Sequence, residues 1–81
     1  GDLIVAVMGE IRRDKAENQK PLNSPIQKLT LYTEDKHKAA ILADAKEDFV
    51  GTLKVEQMCI QPEGKGREVK GYTDVYFDAE Y

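Results

Sequence analysis

A double-proline segment between Lys20 and Pro25 constrains this chain more than any other feature. The segment reads Lys-Pro-Leu-Asn-Ser-Pro. Pro21 lacks an amide donor and clashes with the preceding helical turn, so no helix runs through it. Pro25 biases the residue before it toward an extended conformation. A helix must therefore end near Lys20, and a new element must begin near residue 26.

The residues before this stop have helical spacing. Apolar side chains recur at Leu3, Ile4, Val7, Met8 and Ile11, three and four residues apart. The β-branched start also suits a buried strand, but strong helix formers continue the pattern, and its length favours a helix over 1–20. Further apolar residues widen the stripe, so this helix needs contacts on several sides, which indicates missing upstream helices.

Alternation and turn signals predict a β-α-β-β unit over 26–81. The expected strands are at 26–33, 52–60 and 68–79, with a bulge near Gln57 in the second and a hairpin turn at 62–66 before the third. The expected helix is capped by Thr33, runs to Phe49 and is ended by Gly51 in a left-handed conformation. The prediction is an α+β fold of order α-β-α-β-β, with a three-stranded mixed sheet packed against two helices. Residues 1–81 are expected to form a single small domain.

Composition and charge narrow the function classes. The chain has 81 residues and is 41% hydrophobic and 33% charged, which is typical of a globular domain. Such a small core has no room for a large substrate cavity. Residues 11–38 carry seven basic and four acidic side chains (+3), and residues 39–81 carry five and nine (−4). A uniformly basic nucleic-acid binder is excluded, but one face could still meet a polyanion.

The residues that most often carry catalysis are scarce. Cys59 is the single cysteine, so it forms no internal disulfide or cysteine zinc site, and we interpret it as a small buried hydrophobe. His37 is the single histidine and is flanked by lysines, which favours a solvated surface residue. The Gly64-x-Gly66 pair joins strands and does not open a helix, unlike a phosphate loop. We predict no catalytic, cofactor or metal site in this chain.

Targeting signals are weak. The longest apolar run, Leu3 to Met8, is too short to span a bilayer and lacks the basic start of a secretory signal. A single cysteine also suits a reducing compartment. We therefore expect a cytoplasmic protein without a membrane partner.

Basic residues cluster at the end of the first helix. Arg12 and Lys15 share a face at i, i+3, and Arg13 lies on a neighbouring side. Two interpretations stay open: contacts with nucleic-acid phosphates, or local pairing of Arg13 with acidic residues such as Glu10 and Glu17 on the same helix. No aromatic residue is interleaved with the cluster, which argues against base stacking.

The stretch from Ile11 to Ile26 resembles valyl-tRNA synthetases where the last helix of the anticodon-binding bundle meets the small domain after it. The family pattern is I-R-x-x-K-x-E, four residues, then L-N-x-P and an aliphatic residue. It is matched here by Ile11, Arg12, Lys15, Glu17, Leu22, Asn23, Pro25 and Ile26. The next strand, QKLTLYT, is also similar to the family's.

The resemblance has departures. Asp14 stands where the family more often has an aromatic or bulky residue. The packing contact that such a residue would make is therefore not expected here. The turn around Gly64 is longer than expected, and the C-terminal coiled coil of the bacterial enzymes is not evident. An archaeal-type relative, or another relative without the coiled coil, fits better.

The resemblance implies a non-catalytic C-terminal piece that supports the anticodon-binding region. The parent enzyme attaches valine to its tRNA using ATP, and both the catalytic sites and the ATP site lie outside this chain. The implied partners are upstream domains of the same polypeptide and tRNA. Arg12, Arg13, Lys15 and Lys20 are the expected contacts with the tRNA backbone, and these contacts should be weak and salt-dependent.

A different class of function also fits the residues. The apolar helix face from Leu3 to Met8 would suit a free-standing protein-interaction module that docks on a partner helix. A small enzyme is a third interpretation, for which no catalytic arrangement is visible.

Overall fold

The computed structural model describes residues 2–81, and Gly1, where the first predicted helix begins, lies outside them. The elements, in chain order, are α1 (Asp2–Glu17), β1 (Ile26–Thr33), α2 (Lys36–Asp44), α3 (Lys46–Leu53), β2 (Val55–Gln61), β3 (Arg67–Val69) and β4 (Tyr72–Glu80). The predicted α+β class is confirmed. The predicted element order is wrong, because one helix is divided and one strand is divided.

The sheet is mixed, as predicted, but has four strands in the order β2-β1-β4-β3. Strand β1 pairs in parallel with β2 and antiparallel with β4, and β3 pairs antiparallel with β4. The predicted count of three strands is wrong because the segment 68–79 folds back on itself. Val69 pairs with Tyr72 across a turn at Lys70 and Gly71, where Gly71 has φ +90°, a backbone conformation that glycine adopts at little cost.

Helix α1 ends at Glu17, three residues before the predicted end. Gln19 adopts φ +59°, and its amide donates to the Ala16 carbonyl at 3.1 Å. The Lys20 amide donates to the Lys15 carbonyl at 2.8 Å. This pair of hydrogen bonds is a Schellman motif. The helix is therefore already closed when the chain reaches Pro21.

The predicted second helix is two helices that meet at Ala45. Asp35, and not Thr33, caps the first of them: its carboxylate accepts from the amides of His37 and Lys38 at 2.9 and 3.0 Å. The second continues past Gly51, and the left-handed residue at its end is Lys54, at φ +56°. The predicted cap and the predicted helix end are therefore both wrong.

No bulge occurs at Gln57. Its strand keeps one register against β1 from Ile26/Val55 to Tyr32/Gln61. The buried positions shift in step along both strands: Ile26 and Val55 are buried at the start, and Leu29 and Met58, three residues on, are buried next. The shift in alternation is thus shared by two paired strands, and no extra residue is inserted into one of them.

The helices cover one face of the sheet and complete the core there. The buried apolar residues come from all three helices and all four strands: Leu3, Val7, Ile11, Ile26, Leu29, Leu31, Leu42, Ala45, Phe49, Leu53, Val55, Met58, Val69, Val75 and Phe77. Strand residues between these, such as Tyr32 and Tyr76, point to the opposite, open face.

A short connection crosses the sheet at the level of the two tyrosines. Gln61, Tyr32 and Tyr76 are paired in one row, and Glu68 pairs with Tyr76 at the far edge. Residues 62–66, called the strap below, join β2 at one edge to β3 at the other. The predicted hairpin turn is therefore a crossing between parallel edge strands.

Two glycines let the strap lie close to the strands. A Cβ on Gly64, which has φ +129°, would lie 2.5 Å from a ring carbon of Tyr32. A Cβ on Gly66 would lie 2.0 Å from the carbonyl oxygen of Phe77. Both distances are far below van der Waals contact, so the Gly-x-Gly pair is required by packing.

Candidate nucleic-acid interface

Lys15 is a buried lysine that holds the proline segment against α1. Its side chain is fully buried, and Nζ donates to the carbonyl oxygens of Leu22 at 3.0 Å and Ser24 at 2.8 Å. Burial lowers the pKa of the Lys15 ammonium, and the nearby positive charges of Arg12 and Lys54 lower it further. The lysine of the family pattern thus contacts the loop that carries the rest of that pattern.

Lys15 was expected on the face of Arg12, but its place on the buried stripe of the same helix was missed. Lys15 follows Ile11 by four residues and continues the buried stripe of Leu3, Val7 and Ile11. A lysine at the end of such a stripe keeps its stem in the core and sends its ammonium to the nearest polar atoms. Here those atoms are backbone carbonyls, and the ammonium is withdrawn from solvent.

The other three predicted residues are on the surface. Arg12, Arg13 and Lys20 are exposed, and we call them the outer basic surface. A guanidinium nitrogen of Arg13 lies 3.5 Å from a carboxylate oxygen of Glu10, while 59% of the Arg13 side chain stays accessible. The local pairing considered from the sequence is therefore present, and it leaves most of this side chain in water.

Arg67 on β3 forms an ionic cluster with α1 that sequence reasoning missed. Its guanidinium donates to Glu17 at 2.7 Å, to Glu10 at 3.0 Å and to Asp14 at 3.2 Å. The hydrogen bond to Glu17 is the main reason that the pKa of Arg67 is raised. The acidic spacing of four and three residues along α1 was visible in the sequence. The partner, at least 50 residues away along the chain, was not.

Tyr81 belongs to the same cluster, because it contacts the carboxylate of Asp14. The Tyr81 hydroxyl donates to a carboxylate oxygen of Asp14 at 2.5 Å. Burial, and then the hydrogen bond to Asp14, raise the pKa of the Tyr81 phenol. The carboxylate of Asp14 thus joins α1 to both Arg67 and Tyr81.

Three acidic side chains of α1 therefore turn toward Arg67 on the sheet. Glu10, Asp14 and Glu17 are all engaged by Arg67, and Glu10 is itself buried. Arg12 and Arg13 project elsewhere on the helix and remain exposed. This division gives α1 one acidic side bound within the fold and one basic side in solvent.

The remaining sequence candidates take ordinary positions. His37 is exposed on the first turn of α2, as predicted, and Cys59 is partly buried in β2. Among residues 2–81, no group of three His, Cys, Asp or Glu side chains has a geometry that would hold a metal ion. Over the same residues, no helix combines the length and apolar character needed to cross a membrane.

Comparison with known proteins identifies relatives of one kind. The chain is 40% identical over 55 residues to a valine–tRNA ligase of Methanothermobacter thermautotrophicus, a match that covers 68% of the chain and 6% of the relative. It is 37% identical over 60 residues to the valine–tRNA ligase of Methanocaldococcus jannaschii, covering 74% and 7% respectively. No family model matches, and no solved structure matches.

These matches confirm the resemblance and extend it. A match of 60 residues includes residues 22–60 wherever it lies in a chain of 81 residues, so it covers the end of the proline segment and much of the β-α-β-β unit. The chain spans only a small fraction of the relatives' length.

Proposed function

The chain belongs with the valine–tRNA ligases, as a segment that matches 6–7% of the length of two of them, and from this we propose that it is a non-catalytic C-terminal part of such an enzyme. The parent enzyme would attach valine to its tRNA using ATP, at sites outside this segment. The observation that carries the proposal is 37–40% identity over 68–74% of the chain. A shared local motif alone would not extend so far.

The outer basic surface is the proposed contact with tRNA. Arg12, Arg13 and Lys20 are exposed, and arginine forks and lysine point charges both suit phosphate oxygens. Lys15 has an indirect role in this proposal, because it fixes the segment that follows Lys20. The contacts would be electrostatic and independent of base sequence.

Upstream helices of the same polypeptide are the second proposed partner. Val5 lies on α1 with 72% of its surface accessible, and Gly9 has open space where a Cβ would project. Together they give the N-terminal half of α1 a narrow apolar surface away from the core. A helix of the anticodon-binding region packed there would let the domain support that region.

The alternative of a free-standing interaction module loses most of its surface. Leu3 and Val7 are buried in the chain's own core, and Ile4 and Met8 are partly buried against it. Val5 is the one strongly exposed residue of the Leu3–Met8 run. No observation on the described residues favours this function over the first.

A titration of the ¹⁵N-labelled protein with valine-accepting tRNA, followed by NMR, tests the tRNA contact. We expect shifts at Arg12, Arg13 and Lys20 at about 50 mM salt that reverse by about 200 mM salt. Replacing both arginines by glutamine should reduce the slope of log K against log salt by about two. Lys36→Gln, an exposed lysine on α2, is the matched control and should leave the slope within error. If no residue shifts, the tRNA contact is withdrawn, while the family relationship stands.

A further inference from the structure

A groove opens between the strap and the adjoining ends of β1 and β4. Its volume is about 420 Å³, within the range of small-ligand sites. Two tyrosines that pair across the strands, Tyr32 and Tyr76, contribute aromatic surface. Carboxylates of Glu34, Glu63 and Asp74 also line it. None of these residues belongs to the outer basic surface.

The charge of the groove is negative. Three carboxylates and one ammonium, that of Lys65, line it, which gives −2. Lys38 and Asp35 are not lining residues of the groove, and their ammonium and carboxylate lie 3.4 Å apart, so counting both leaves the sum unchanged. An anionic ligand such as a phosphate would be repelled here, whereas a cation would be attracted.

One wall of the groove already holds a cationic group. The ammonium of Lys38 donates to a carboxylate oxygen of Asp74 at 2.7 Å. The Asp74 side chain is still 42% accessible, so it can accept further hydrogen bonds. The tyrosine beside it, Tyr76, adds a ring to the same wall, and ring faces attract cations.

The strap holds the groove in shape. Gly64 lies so close to the Tyr32 ring that any larger residue would collide with it. Gly66 is fixed in the same way by the backbone of Phe77. Groups that are already positioned lose less conformational freedom when a ligand binds.

We propose that this groove binds an arginine side chain presented by a protein segment. The planar guanidinium stacks on the tyrosine surface and donates to Glu63 and Asp74, two demands that an ammonium meets less well. The proposal concerns a surface separate from the outer basic surface and does not depend on the proposed function.

A pair of peptides tests the proposal: N-acetyl-Gly-Arg-Gly-amide, and the same peptide with glutamine in place of arginine. In NMR titrations of the whole chain, the arginine peptide should shift the signals of Tyr32, Glu63, Asp74 and Tyr76, with a Kd of about 1 mM or above. The glutamine peptide should leave them in place. Equal shifts with both peptides, or none with either, would overturn the assignment.

Two variants of groove residues and one control make the test specific. Glu63→Gln and Asp74→Asn should each weaken the arginine peptide by about threefold or more, because each removes one charge. Glu56→Gln, an exposed residue of β2 outside the groove, should leave the affinity unchanged. If tRNA shifts the groove residues and the arginine peptide does not, the site takes a nucleic acid and the proposal is wrong.

Discussion

The inner and outer sides of α1 carry the same kinds of charged residue and use them in opposite ways. On the inner side, Lys15 is fully buried and bonds to two backbone carbonyls. On the outer side, Arg12 and Arg13 remain exposed. A structural cation is therefore not distinguished from a candidate binding cation by its residue type. It is distinguished by its position relative to the buried stripe of the helix.

Two cations lie on the inner side of α1, Lys15 from the helix itself and Arg67 from β3, and their hydrogen-bond acceptors differ in charge. Arg67 is surrounded by three carboxylates at 2.7 to 3.2 Å, whereas Lys15 has only neutral carbonyl oxygens as its described acceptors. Hydrogen bonds to carboxylates, first of all to Glu17, favour the ionised form of Arg67, and burial disfavours that of Lys15, so their pKa values shift in opposite directions. Each should respond differently to substitution.

Arg67→Met should have the largest effect. Removing the guanidinium leaves Glu10, Asp14 and Glu17 to repel one another, with Glu10 buried. We expect the free energy of unfolding to fall by about 3 kcal/mol, measured by urea denaturation. Glu17 is 65% accessible and should contribute little to this loss. Arg67→Lys keeps the charge but loses the forked donors of the guanidinium, so its free energy of unfolding should lie between those of Arg67→Met and the wild type. Equal stability of Arg67→Met and the wild type would show that the cluster does not hold α1.

Lys15→Met comes next and tests the inner side against the outer. The thioether replaces the stem but leaves the Leu22 and Ser24 carbonyls without their donor. Unfolding free energy should fall by about 2 kcal/mol, and the amides of residues 21–25 should shift. Arg12→Met, the corresponding replacement on the exposed side, should change stability by less than about 0.5 kcal/mol. A reversal of the two results would overturn the assignment of the faces.

Tyr81→Phe sharpens the comparison through pH. The folded-state pKa of Tyr81 lies above the ordinary value of 10.0, so above pH 10 the unfolded chain releases this proton while the folded chain keeps it. The folded state then binds more protons, and stability falls as pH rises, by at most about 1.4 kcal/mol per pH unit. Below pH 10 the contribution is fully present. Denaturation between pH 9 and 11 should show a steeper decline in the wild type than in Tyr81→Phe. Parallel curves would contradict the hydrogen bond to Asp14.

Gln19→Gly has the smallest predicted effect and opposite sign. Gln19 holds φ +59° at the end of α1, where glycine avoids the strain of a Cβ. We expect a gain of about 0.5 to 1 kcal/mol by thermal or urea denaturation. Gln27→Gly in β1, where the backbone is extended, is the control and should be destabilising. A loss at position 19 would show that its side chain contributes to the helix end.

Local signals allowed much of the fold to be predicted. The proline segment and helical spacing gave the position of α1, and alternation gave β1 within its observed bounds. The division at Ala45 was missed because the residues on both sides of it are compatible with one continuous helix. The turn at Lys70 and Gly71 had a local signal, the glycine itself, which the prediction of one strand over 68–79 did not use.

The candidate site was less predictable. Exposure of Arg12 and Arg13 follows from their place on the helix, but the burial of Lys15 depends on the loop that returns over it. The position of Arg67 beside α1 could not be predicted, because residues 62–66, which carry the chain across the sheet, were interpreted as a hairpin turn. Its acceptors lie on α1, in another part of the sequence.

The most direct test of the account is a side-chain NMR titration that follows the Lys15 ammonium with pH, with and without tRNA. We expect the pKa of the Lys15 ammonium to lie below the ordinary value of 10.5, and we expect its signal not to respond to tRNA. A midpoint at or above that value, with a salt-reversible shift on adding tRNA, would show that Lys15 belongs to the phosphate-contacting surface and would contradict the division between the two sides of α1.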